Sequence, residues 1–589
     1  MKKYFTVSSV ALLVLLGACS GEPSEEQSKS QFKEGKGGRM YGGVFRMNES
    51  EYIKTLFPPA ITDAFSYRIA AQVYEGLFKF NQADLSLKPG LAESYTVSED
   101  GTEYTILLKK GVFFHDDACF EGGKGRELNA ADIKYCFDML CVQSVNNQSF
   151  YLFKDIVVGA NECFNASAGG TLPAGGVNGV QVVDDYTVKI KLLKPYSIFK
   201  YNLARPGAFI YAKEAYEKYG LEMREKVVGT GPFYVESIDD DIAIILKKNL
   251  TYHELDEFGN QLPYLDALKI SFIKDKKTEY LEFKKGSLDM IYRLPTDYII
   301  EIIEEANEAK KKGVNINYQL QRKPEMTTHF LSFNTKDQVF SDINVRKALS
   351  FAIDREKILE FVLNGEGYAP GFQGITPPVL SDYTTEDIKG YSKNIDSAFY
   401  YLAKAGFPKG KGFPKVTLDL NADGERNTNV AVEVQKQLKD NLGIDIQLNV
   451  LPLAQHVENS MSGKSSFFRL AWVADYPSAE NFLWVFFGEQ VPAGNESKSY
   501  PNVMRYTSKM FDTYYKNALS AITAEEANSN FKAAERVMVH DCPIIVLWYD
   551  EGYRLLRSEV KNFPSNPMQY RDFSEVYLSS SETKAAVPN

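Results

Sequence analysis

Gly443-Ile444-Asp445-Ile446-Gln447-Leu448-Asn449-Val450 alternates apolar and polar residues, and it directly follows residues 430–442, whose apolar positions recur at helical spacing. The first pattern belongs to a half-buried strand and the second to an amphipathic helix. Working outward, Tyr104-Thr105-Ile106-Leu107-Leu108 and Tyr186-Thr187-Val188-Lys189-Ile190-Lys191-Leu192 also read as strands, rich in β-branched residues and aromatics. Between them Asn129 reads as a helix N-cap with Asp132 at N3, and Ile133, Phe137, Leu140 and Cys141 share one face. Val345, Leu349, Ala352 and Ile353 form another apolar stripe, and Asp354 restarts a helix carrying Ile358, Leu359 and Val362. Strands and helices interleaved in this way predict α/β layers.

The N-terminus speaks to the compartment. Lys2 and Lys3 precede an apolar run over residues 5–16, closed by Leu16-Gly17-Ala18-Cys19. A basic start, an apolar core too short to span a bilayer and a small-residue cut site describe a secretory signal peptide over 1–18. The cysteine directly after the small pair is similar to the bacterial lipobox, which implies cleavage before Cys19 and acylation of its thiol. An ordinary signal peptide with a chance cysteine is the alternative. Residues 20–38 hold Glu22, Glu25 and Glu26 among serines and glycines, with Phe32 their only large apolar residue. Such a segment cannot bury enough surface to fold, so residues 19–39 are expected to be a flexible tether reaching about 25 Å on average. The expected location is the cell envelope, on a membrane and facing the periplasm or the exterior.

No later run is apolar enough for a second membrane segment, and no repeat or low-complexity linker divides the remainder. One large multi-lobed body is expected. The formal net charge of -10 argues against nucleic acid as a partner, because phosphate binding demands a basic face. Thirty-six tyrosines and 38 phenylalanines fit either a large core or a cleft lined with aromatic rings. Five cysteines remain after Cys19, and Cys119, Cys136, Cys141 and Cys163 cluster, so one bridge such as Cys119 with Cys163 is plausible. No zinc spacing, His-Glu-x-x-His, Gly-x-Ser-x-Gly or Walker loop occurs; Glu458 stands where a Walker loop needs glycine ahead of Gly463-Lys464-Ser465. The expectation is therefore no enzyme, no metal and no cofactor.

Several blocks then resemble the family 5 extracellular solute-binding proteins. They include Leu91-Ala92-Glu93-Ser94-Tyr95, Lys110-Gly111-Val112-Phe113-Phe114-His115-Asp116, Gly229-Thr230-Gly231-Pro232-Phe233 and Asn344-Val345-Arg346-Lys347-Ala348-Leu349 running on to Asp354-Arg355. Trp472-Val473-Ala474-Asp475-Tyr476-Pro477 is similar to the Trp-x-x-Asp-Tyr pattern of the family's peptide binders. The resemblance implies a lipid-anchored receptor of an ABC importer that captures oligopeptides or dipeptides, works with permease and ATPase components and is a monomer. It also implies a periplasmic-binding-protein-like type II fold: two α/β lobes, a two-stranded hinge and an extra inserted lobe. Laid on this chain, lobe I takes 40–60, 180–325 and 545–589, the inserted lobe 61–179 and lobe II 326–544. The hinge strands would lie near Thr328-His329-Phe330-Leu331 and Ile544-Ile545-Val546-Leu547-Trp548-Tyr549.

The same resemblance assigns Asp475 to the α-ammonium group of the bound peptide. Read from spacing alone, Asp475 caps the turn or helix entered through Pro477 and Ser478. Trp472 and Val473 are expected in the cleft wall. Arg469 matches a family position that can pair with a peptide's carboxylate end, although an arginine solvated at a strand end reads equally well. His329 at the hinge and Phe65, ahead of Tyr74-Glu75-Gly76-Leu77, are further cleft candidates. Ala471 departs from the family, where glycine is usual. Rival readings keep the fold and change the ligand to a sugar, metal chelate or haem, or keep the peptide and drop the transporter.

Overall fold

The computed structural model describes residues 32–579 except 241, 296–297, 315, 423 and 495–496. The signal peptide, Cys19 and the tether up to residue 31 lie outside the described residues. Among those described, no helix is long and apolar enough to cross a membrane.

The deciding stretch folds as a βαβ unit. Helix Gly424–Leu442 buries Val430, Val434, Leu438 and Leu442 along one face. Gly443 ends it at φ 69, donating to Lys439 O while Ile444 donates to Leu438 O, the paired closure that a left-handed glycine permits. Because Gly443 and Ile444 close the helix, the strand starts only at Ile446–Leu451, later than the alternation suggests. It runs parallel to Val416–Asn421, as a helical crossover requires.

These strands belong to a seven-stranded sheet dominated by two long members, Tyr318–Phe333 and Ile544–Arg557, paired antiparallel. Met290–Tyr292 flanks one end of the pair, and Phe467–Val473 with the βαβ unit flanks the other. The expected hinge segments meet directly, with Thr328 opposite Tyr549 and His329 opposite Trp548. Between Pro324 and Thr328 the register breaks, so that Glu325, Met326 and Thr327 face Asp550 alone. Proline has no N–H to give the ladder, and the bulge bends the pair where one lobe passes into the other.

A four-stranded sheet of Val44–Asn48, Phe233–Asp239, Ala243–Lys248 and Ala267–Ser271 builds lobe I. Another, Ala92–Val97, Glu103–Leu108, Thr187–Lys191 and Val180–Asp184, builds the inserted lobe. The boundary at 179/180 is therefore corrected: the hairpin of 180–191 stays with the inserted lobe because its second strand pairs with Glu103–Leu108. The tether is also shortened. Lys33–Glu34 pairs with Met40–Tyr41, Asn260 brackets Lys36, and Arg39 meets Glu257 at 3.2 Å. This is the two-lobe type II fold of periplasmic binding proteins, with its inserted lobe.

Several sequence blocks prove to be structural. Helix Ala130–Leu140 starts in the expected capping box of Asn129 and Asp132. Arg346 donates to Cys542 O just ahead of the second long strand, and Arg355 donates to Val546 O within it at 2.6 Å, pinning the helices over 343–357 to that segment. A Cβ on Gly229 would stand 2.1 Å from Val73 O, and one on Gly231 2.6 Å from Gln72 O, so only glycine lets this loop approach the end of helix Ala64–Val73. The five described cysteines are all free thiols, which removes the bridge considered above. Cys136 Sγ instead donates to Tyr211 O at 3.3 Å, and burial pushes the Cys119 thiol up to about 12.

Candidate functional site

Strand Phe467–Val473 lies beside the first long strand, with Arg469 opposite Leu331, Ala471 opposite His329 and Val473 opposite Thr327. The chain then turns through Asp475 into helix Ala479–Leu483. Ser478 caps that helix, its side chain accepting from Glu480 N–H. Asn481 organises the turn: its Oδ1 accepts from Trp472 Nε1 at 3.0 Å and from the Asp475 N–H at 3.1 Å. With the cap supplied by Ser478, the Asp475 carboxylate points to another partner.

That partner comes from 270 residues earlier in the chain. Arg205 Nη2 meets Asp475 Oδ2 at 3.1 Å, with the arginine side chain 14% exposed and the aspartate 46%. The guanidinium carbon lies 4.9 Å from the Tyr151 ring and 5.2 Å from the Tyr476 ring. Tyr67, Tyr151 and Tyr500 all feel both charges, and burial raises each phenol above its ordinary value. Arg205 itself is held above the ordinary guanidinium range: burial opposes its charge, but Tyr151, Asp475 and Tyr476 outweigh it. Half of Asp475 faces water, so the pair itself contributes only about 1 kcal/mol.

The expected wall residues separate. Val473 is 58% exposed, whereas Trp472 is half-buried with its ring 6.3 Å from Trp484. Phe65 sits on helix Ala64–Val73 with Arg68 5.8 Å from its ring, in an Arg68–Glu49–Arg571 cluster. Two positions along that helix, Tyr67 is the ring beside the Asp475 pair.

His329 and Arg469 come together at the bulge. Arg469 Nη2 lies 2.7 Å from His329 Nδ1, and its Nη1 donates to Asn421 Oδ1 at 3.0 Å. A guanidinium only donates, so Nδ1 accepts and the ring proton sits on Nε2, which donates to Asp550 at 3.0 Å. Burial pushes His329 down to about 3. Its ring stacks on Trp548 at 4.2 Å. Both its nitrogens are thus engaged within the protein. Arg426 at 2.9 Å and Arg293 at 3.5 Å also reach Asp550. Burial would raise that carboxyl, but its hydrogen bond and these cations hold it well below the usual range. Burial raises the neighbouring Glu325. Arg205, Arg293, Arg426 and Asp550 escaped the sequence reading, since no local pattern marks them and their partners lie from 32 to 270 residues away.

Glu75, His253 and Glu254 place ligand-type atoms within 4.8 Å of one another. Donors already fill them: Lys79 Nζ stands 2.6 Å from Glu254, and Thr230 Oγ1 donates to Glu75 at 2.8 Å. This is an ion-pair network rather than an open metal cradle. A neighbouring cavity of about 20 Å³, lined by Tyr67, Glu75 and Lys79 among others, suits about one water.

The profile described as "Bacterial extracellular solute-binding proteins, family 5 Middle" matches residues 86–493. The chain belongs to this family. Among curated relatives, the dipeptide-binding protein of Escherichia coli is 26% identical over 528 residues, spanning 88% of this chain and 92% of that protein. Heme-binding protein A of Haemophilus influenzae is 26% identical over 589 residues, spanning 97% and 98%. Among solved structures, the periplasmic binding protein DppA from Helicobacter pylori in complex with peptide STSA superposes with a TM-score of 0.73 at 23% identity. It covers 92% of this chain and 99% of that one.

Proposed function

We propose that this chain is the substrate-binding protein of an ABC importer that captures dipeptides or oligopeptides between its lobes and hands them to a permease. The observation that carries the reading is Asp475: a carboxylate half open to water, freed from capping by Ser478 and paired with Arg205 from a distant segment. A peptide's α-ammonium would take an oxygen there, and lobe closure would strengthen the bond by excluding water. Ligand touching both lobes shifts the open–closed equilibrium by its differential affinity for the closed form. Bending would centre on the register break between Pro324 and Thr328. Within this reading Trp472 and Val473 form wall, the Arg469–His329 pair braces the cleft floor, and the body is a monomer. Cys19 carries the lipid and holds the body to a membrane outside the cytoplasm.

Native mass spectrometry of the body from residue 32, offered a mixed pool of di- to hexapeptides, tests the reading. Captured peptide masses support it and give the length preference. An empty protein in the peptide pool that takes up haem, the ligand for which the Haemophilus influenzae relative is named, would replace it. Radiolabelled palmitate incorporated by the full chain and lost in Cys19→Ala tests the anchor.

A further inference from the structure

Arg293 stands in the left-handed region at φ 60, a backbone conformation that favours glycine or asparagine over a long cationic side chain. A residue keeps such a conformation only where its surroundings over-determine it, and such places cluster at switches and clamps. Its N–H donates to Tyr553 O at 2.9 Å. Its half-exposed guanidinium reaches inward, with Nη2 3.4 Å from Glu325 Oε2 and 3.5 Å from Asp550 Oδ2. Both carboxylates are buried. The Tyr292 hydroxyl donates to Glu325, and a Cβ on Gly552 would collide with Glu325 Oε1, so the facing strand is shaped to admit that carboxylate.

Asp550 faces the register break between Pro324 and Thr328, and its arginines come from the two sides of that break. Arg293 follows strand Met290–Tyr292, and the neighbouring Asp289 pairs at 2.6 Å with Arg46 of the lobe I sheet. Arg426 belongs to the helix of the βαβ unit. Its Nη2 reaches Asp550 Oδ1 at 2.9 Å and also donates to Glu366 O at 2.7 Å. His329 donates to Asp550 Oδ2 at 3.0 Å. The arm from lobe II is therefore tight, and the arm from lobe I, at 3.4 and 3.5 Å, is the looser one. A bend at the break moves one arm relative to the other, and the looser contacts give way first.

Resting on the two-lobe receptor reading, we propose that Arg293 is a positioning residue of the hinge. By bridging Glu325 and Asp550 it ties lobe I to the counter-ion that Arg426 holds from lobe II, and it sets the balance between lobe arrangements without touching the ligand. Affinity follows, because a ligand binds through its preference for one arrangement over the other. The bridge belongs to the arrangement described, so removing it depopulates that arrangement.

Arg293→Gly deletes the guanidinium and suits the backbone, which keeps the fold out of the comparison. The body from residue 32 is spin-labelled at Lys247→Cys in the lobe I sheet and Lys439→Cys in the βαβ helix, with Cys119→Ser because that native thiol is not fully buried. Double electron–electron resonance then reads the distance between the labels without ligand. The expected result is a second distance population enlarged about threefold in Arg293→Gly, and less so in Arg293→Lys, which keeps the charge. Titrations with trialanine and N-acetyl-trialanine should shift both affinities by that factor in the same direction, leaving their ratio intact. Distance distributions identical in the parent and Arg293→Gly overturn the proposal, and peptide binding in that case leaves the peptide reading standing. A change in only one of the two affinities overturns it as well, since it would put Arg293 against the ligand. A shifted distribution in a protein that takes up neither peptide supports the hinge role and removes the peptide reading.

Discussion

Asp475→Asn keeps the shape of the side chain and removes its charge, so it isolates the ammonium contact. In the unaltered protein an ammonium about 3 Å from the carboxylate gains about 5.5 kcal/mol at an effective dielectric of about 20. The same ammonium, about 5 Å from the Arg205 guanidinium, loses about 3.3 kcal/mol. The balance of about 2 kcal/mol corresponds to about a thirtyfold preference for a free-amine peptide over its N-acetylated form. In the variant the attraction is gone and the repulsion from Arg205 remains, so the preference should fall to about one or below. The measurement is the ratio of dissociation constants for trialanine and N-acetyl-trialanine, by titration calorimetry at low and moderate salt. Folding is checked by superimposable circular dichroism. A ratio unchanged by the substitution would refute the anchor, and equal weakening of both peptides would mean that Asp475 shapes the cleft without touching the amine.

Burial pushes His115 down to about 4 and His329 to about 3, whereas an unfolded histidine titrates near about 6.5. Between those values the unfolded chain binds more protons, so stability is full above about pH 6.5 and falls as the pH drops, by up to about 1.4 kcal/mol per unit for each group. Urea melts between pH 7.5 and 4.5 should show the slope, and His115→Gln should flatten it; an unchanged slope would assign it elsewhere. Asn129→Ala removes the cap that accepts from Ala131 N–H at 2.9 Å and should cost about 1 kcal/mol in chemical denaturation. Gly229→Ala drives a methyl group to 2.1 Å from Val73 O. It should cost about 1–3 kcal/mol, and a melt within experimental error of the parent would show that the loop can retreat.

Local order was readable where a short run of residues decides it. The 443–450 alternation and the stripe ending at Leu442 gave the helix and the strand after it, displaced only because Gly443 and Ile444 finish the helix; the parallel strand Val416–Asn421 went unread. The Asn129–Asp132 box and the restart at Asp354 stand as read, since each is a hydrogen bond spanning at most three residues. At Asp475 local reading stalled between cap and ligand anchor. Two oxygens compete to cap the same helix, and only the folded turn assigns that task to Ser478.

The sequence by itself determined the class of the fold, the main elements and Asp475 as a residue to watch. Periodicity, caps and motif spacing are written in neighbouring residues, where chain geometry fixes who meets whom. Only the tertiary structure decided that Arg205, 270 positions away, faces Asp475 between two tyrosines. It alone decided that the 180–191 hairpin pairs into the inserted lobe, and that His329 spends both nitrogens inside the protein. Those outcomes depend on which distant segments the sheets and the long paired strands carry together, and charge pairing over such separations leaves no period for a sequence to display.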